Sequence, residues 1–102
     1  MQAVLSNVNN ISEKVDYLLS DVDSSTKNDV ENSIVALGAK AVNALVDKLQ
    51  TLKGLQRGIV AMSLIRIGET SIEYLNRAAK FNKDFEWIAQ YLIREIKGSA
   101  NA

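Results

Sequence analysis

The side chains with chemical reach in this 102-residue chain are carboxylates, hydroxyls and amines, because it holds no His and no Cys. Their absence removes imidazole bases, thiolate nucleophiles, disulfides and the commonest zinc ligands. The carboxylates closest to an acid–base spacing are Glu69 and Glu73, four residues apart and so on one face of a helix. No partner base, glycine-rich phosphate loop or metal-ligand spacing accompanies them, and acids at a helix start are already favoured by the dipole. The sequence therefore reads as non-catalytic, with no cofactor and no metal.

Amines offer a second chemistry. Lys40, Lys48, Lys53, Arg57, Arg77, Lys80 and Lys83 could neutralise phosphates, which makes a nucleic-acid-binding helical repeat the alternative function. Twelve bases are balanced by twelve acids, however, so no net field draws in a polyanion. The balance is uneven along the chain: residues 1–32 hold six acids and two bases, residues 33–64 four bases and one acid. Hydrophobic residues at 47% and charged ones at 24% are the composition of one globular domain. No apolar run approaches the ~18 residues that span a bilayer, and residues 1–22 lack the pattern of a signal peptide, so a cytoplasmic protein with no membrane contact is expected.

Helices must position these groups. There is no proline, and three of the five glycines, Gly38, Gly54 and Gly68, punctuate long uninterrupted segments. Val4, Val8, Ile11, Val15, Leu18 and Val22 follow spacings of 4, 3, 4, 3 and 4, one helical stripe that Leu5 and Leu19 widen. This predicts a first helix over about 3–22. The polar turn Asp23 to Thr26 follows, its Ser and Thr oxygens expected to cap a helix from Lys27 to Leu37. Gly38 is expected to stop that helix in a left-handed conformation, and Lys53 with Gly54 to close the next one. Thr70 and Glu73 have the form of a capping box, and Asn82 is expected to cap a last helix over about Lys83 to Lys97, before a frayed tail at 99–102.

Shifted by 30 residues, the chain overlays itself. Val30, Ile34, Leu37, Gly38, Val42 and Leu45 fall on Val60, Leu64, Ile67, Gly68, Ile72 and Leu75. A shift of 29 sets Ile88, Ala89, Ile93 and Ile96 under Ile59, Val60, Leu64 and Ile67. The expected fold is all-α, a short α-solenoid of antiparallel helical hairpins with about six helices. Residues 27–53 and 55–80 form two repeats, 82–98 a half repeat, and 1–23 an N-terminal capping helix for which a dimer seam is the alternative.

The segments Leu37 to Leu45 and Ile67 to Leu75, with the pattern Leu-Gly-x-x-Ala-Val-x-Ala-Leu, resemble the HEAT-like repeat of α-solenoids, over roughly Lys27 to Gly98. Where that family often has a proline early in the second helix, this chain has Asn43 and Glu73. Its Asp–Arg ladder between repeats has no regular counterpart here, and nothing specific to the bilin attachment of phycobilin lyase relatives is present. The expected architecture and the absence of catalytic equipment together point to a scaffold or adaptor that holds another protein.

In stacked hairpins the second helices line the concave side. Asn43, Asp47 and Gln50 share an outward stripe there, and the 30-residue shift carries them to Glu73, Arg77 and Lys80, with Tyr74 alongside. That mixed-charge surface with one amphipathic aromatic suits a protein partner. In the last helix Phe85, Ile88 and Leu92 are expected to pack inward, with Phe81 just before them. Trp87, Tyr91 and Arg94 form an adjacent stripe. Core filling is the first reading of those two aromatics. An end-face docking site, a homodimer contact and an edge where further repeats once stacked are the other readings, and a homodimer is expected through the first or last helix.

Overall fold

The protein is described by a computed structural model over residues 2–101, with side-chain surroundings for residues 11–98. Val4, Leu5 and Val8 of the first stripe therefore lie outside the described side chains. The elements are α1 (Gln2–Ser20), α2 (Lys27–Leu37), a 3-10 turn (Gly38–Ala41), α3 (Val42–Leu49), α4 (Gly54–Ile67), α5 (Thr70–Phe81), a 3-10 turn (Lys83–Phe85) and α6 (Glu86–Asn101). No strand occurs among the described residues. No helix there is long and apolar enough to cross a membrane.

The helices pack in two layers. One layer sets α2 against α4 and α4 against α6, the other sets α3 against α5, and α1 lies across α2 and α3. Between the layers α3 meets α4 and α5 meets α6. The Cα radius of gyration is 13.5 Å, close to the ~13 Å of a compact chain of this length. Positions matched by the 30-residue shift share their surroundings: Ile34 and Leu64, and Leu45 and Leu75, are all fully buried. Each such side chain contributes about 1.5–3 kcal/mol of apolar burial.

The two matched glycines adopt one backbone conformation. Gly38 has φ +74° and ψ −156°, Gly68 φ +97° and ψ −142°, a region that only glycine enters without strain. Each donates its N–H back into the helix it ends, Gly38 to the Val35 carbonyl and Gly68 to the Leu64 carbonyl. Leu64 also accepts a 2.9 Å bond from the Ser71 hydroxyl, so this buried helix-end carbonyl is doubly satisfied. Buried Ala41 holds the matching place in the first repeat.

The helix ends differ from the sequence expectation. No side chain caps α2 at Thr26; Asp23 instead orders the turn before the helix, its carboxylate accepting the backbone N–H of Ser25 (2.9 Å) and Thr26 (3.1 Å) and the Ser25 hydroxyl (2.7 Å). An ionised acceptor bonds more strongly than a neutral one, which favours Asp23 over the hydroxyls of the turn. Thr70 and Glu73 form no capping box, since Thr70 already lies inside the helix and Glu73 turns to Arg77. The Asn82 side chain makes no cap bond. Gly54 opens α4 at φ +60° instead of closing α3, which ends at Leu49. The last helix continues through Gly98 to Asn101, and Ala102 lies outside the described residues.

Contacts between repeats were hidden in the sequence because they join residues more than thirty apart. Arg66 donates to Glu31 (3.0 Å) and Asn32 (2.8 Å), tying α4 to α2. Lys48 reaches Asp16 at 2.7 Å and Gln56 donates to the Leu19 carbonyl at 2.9 Å, holding α1 in place.

Replacing Gly38 or Gly68 by Ala meets no neighbouring atom within 4 Å, so its whole cost is backbone strain. Urea denaturation should show a loss of about 1–3 kcal/mol for each. Gly58→Ala, with no positive φ and equally open surroundings, should gain about 0.5–1 kcal/mol. A second expectation concerns acid. Hydrogen bonds from the Ser25 hydroxyl and from the backbone of Thr26 and Ser25 hold the Asp23 carboxyl below the usual Asp range. The folded chain thus favours the ionised form. Its contribution is complete above the unfolded pKa and is lost as pH falls through the folded one. The stability difference between wild type and Asp23→Asn, followed by urea midpoints, should shrink as the solution is acidified through that window.

Candidate functional site

The side-by-side packing of α3 and α5 places their outward stripes on either side of a shallow groove. Asn43, Asp47 and Gln50 from α3 and its end line it with Tyr74 and Arg77 from α5, over Val46 and Ala78, and Phe81 closes one end. Five of the seven predicted partner-binding residues therefore meet. Glu73 and Lys80 lie on the other flank of α5, around a hollow shared with Glu69, Ile72 and Asn76, and Arg77 borders both that hollow and the groove.

Arg77 is already oriented. Its guanidinium donates to Glu73 at 2.6 Å, one helical turn back, and its central carbon sits 5.3 Å from the centre of the Tyr74 ring. Such an exposed ion pair adds about 0.3–0.5 kcal/mol and the cation–π contact about 0.5–1 kcal/mol. Both fix the guanidinium before any partner arrives. Gln50 is occupied differently: its amide donates to the Val46 carbonyl (3.3 Å) and its oxygen accepts from Asn82 (3.1 Å), pinning the end of α3 to the end of α5. Among the described residues Asn43 and Asp47 make no side-chain hydrogen bond, so their donors and acceptors face the groove uncommitted.

Phe81 departs from expectation. It was expected to pack inward beside Phe85, yet it is 87% exposed while Phe85 is buried. Asn82 between them is extended at φ −132° and ψ 98°, and this bend separates the two rings. The signal was present in the spacing, since Tyr74, Ala78 and Phe81 recur at i, i+4 and i+7. Trp87 at 70% and Tyr91 at 53% exposure are likewise not core filling. They belong to an outward stripe of α6 with exposed Arg94.

The basic set is divided among separate places. Lys48 is tied to Asp16 with its side chain only 13% exposed, and Arg77 is tied to Glu73. Lys40 borders a hollow between α1 and α3, whereas Lys53 and Arg57 border another with Asp84 and Trp87. The α3–α5 groove holds about 150 Å³, well under the ~300 Å³ at which small-molecule pockets begin. No family model matches the chain, and neither a curated protein nor a solved structure matches it.

Because Phe81 buries so little, Phe81→Ser should leave the urea midpoint within about 0.5 kcal/mol of wild type. A loss of several kcal/mol would place the ring in the core after all.

Proposed function

We propose that this chain is a short α-solenoid of HEAT-like hairpins, capped by α1, which serves as a non-catalytic cytoplasmic scaffold. It holds another protein in the groove between α3 and α5. The observation that carries this reading is the convergence of an exposed Phe81, a Tyr74-braced Arg77 and the uncommitted Asn43 and Asp47 on one surface. Aromatic and Arg side chains dominate the binding energy of protein interfaces, and pre-orientation lowers the entropy lost on docking. The mixed charge of Asp47 and Arg77 suits a polar rim on a protein partner and weakens the case for a phosphate chain.

A photoreactive phenylalanine analogue at position 81 should yield a protein adduct in the native host, and the same group at Ser24 should not. Tyr74→Ala with Arg77→Glu should weaken capture at position 81 by at least about tenfold. Undiminished capture by the double variant, or tight binding of duplex DNA by the wild type at low salt, would defeat the proposal.

A further inference from the structure

The outward stripe of α6 is not demanded by packing. Trp87 and Tyr91 match Gly58 and Met62 of α4 under the 29-residue shift, and these match Asn28 and Asn32 of α2 under the 30-residue shift. All six positions are exposed. The same place in the same layer thus accepts asparagine on α2 and carries two large aromatics on α6.

Charges flank these aromatics in a definite order. Lys83 and Asp84 lie before Trp87, and Arg94 and Glu95 after Tyr91, all exposed. Arg94 and Glu95 follow the two rings at helical spacing on α6, and Lys83 and Asp84 precede them in the 3-10 turn that leads into that helix. None of the four takes part in an ion pair among the described residues. The stripe is self-complementary when reversed. With a two-fold axis midway between the rings, Trp87 faces Tyr91 of a second copy, Asp84 faces its Arg94 and Lys83 faces its Glu95. A parallel arrangement would instead set each charge against its like.

We propose that two copies of this chain associate through α6, antiparallel and isologous, with Trp87 and Tyr91 at the centre and the Asp84–Arg94 and Lys83–Glu95 pairs at the rim. Zero net charge allows two copies to approach without mutual repulsion. Two-fold dimers are the commonest closed oligomers, and aromatic side chains are enriched at the centre of such contacts with polar groups at the rim. The α3–α5 groove belongs to the other layer and stays open, so each copy retains its own partner surface.

The full-length chain supplies its own reporter, since Trp87 is the single tryptophan. Sedimentation should show a monomer–dimer equilibrium, with Trp87 emission moving to shorter wavelength as dimer accumulates. Asp84→Arg and Arg94→Asp, both at exposed positions, should each weaken self-association at least about tenfold, while circular dichroism stays unchanged. Mixed one to one, the two variants should form a heterodimer, because each then meets its opposite charge. A wild type that remains monomeric up to about 1 mM, well above the affinity of a stable dimer, overturns the proposal. So does a single variant that dimerises as well as wild type, or a mixture that stays monomeric.

Discussion

A helix inside a layered stack must satisfy more than one neighbour at once, and α4 bears that constraint here. It packs against α2 and α6 in its own layer and α3 in the other, with α5 reached through Gly68. Ile59, Val60, Ser63 and Leu64 are all buried along it. Its one buried hydroxyl among them, Ser63, returns a 2.7 Å bond to the Ile59 carbonyl, so that crowding leaves no orphaned polar group on this side chain. The other helices can be amphipathic in the ordinary way because α4 supplies the apolar surface on which they meet.

Placing helices on both sides of α4 requires the chain to change direction within very few residues. Gly38 and Gly68 do this with nearly the same torsion angles, and the equivalence of Ile34 with Leu64 and of Leu45 with Leu75 follows from it. The layered packing then brings residues of successive units face to face, and the groove between α3 and α5 is one result. Gln50, which borders that groove, is held by Asn82 just past the end of α5, and this makes Gln50 a structural residue and not a free contact.

The periodicity of apolar residues made the helical class and the matched positions legible, because burial acts on every third or fourth side chain and leaves a regular trace. Helix ends were less legible. The Asp23 carboxylate binds the Ser25 and Thr26 amides of the turn, and no side chain caps α2 itself. Glu73 had the spacing of a cap but found Arg77 a turn away. At the candidate site the stripe of Asn43, Asp47 and Arg77 could be read from helical geometry alone. So could the outward placement of Phe81, which follows Tyr74 and Ala78 on one stripe of α5, whereas the Gln50–Asn82 bond depends on how the helices settle against each other.

Among the described residues the long-range side-chain hydrogen bonds, Lys48 to Asp16, Gln56 to Leu19, Arg66 to Glu31 and Asn32, and Asn82 to Gln50, all bridge between 32 and 37 residues. Each unit is thus fastened to the one beside it rather than to a distant part of the chain. Loop closure on that scale carries a small entropic barrier, and folding speed follows how local the contacts are. With no proline to isomerise, the chain also escapes the slowest common step in refolding. The first hairpin, α2 with α3, is nonetheless covered chiefly by α4, so a nascent chain must be synthesised through Ile67 before that hairpin can bury its apolar face.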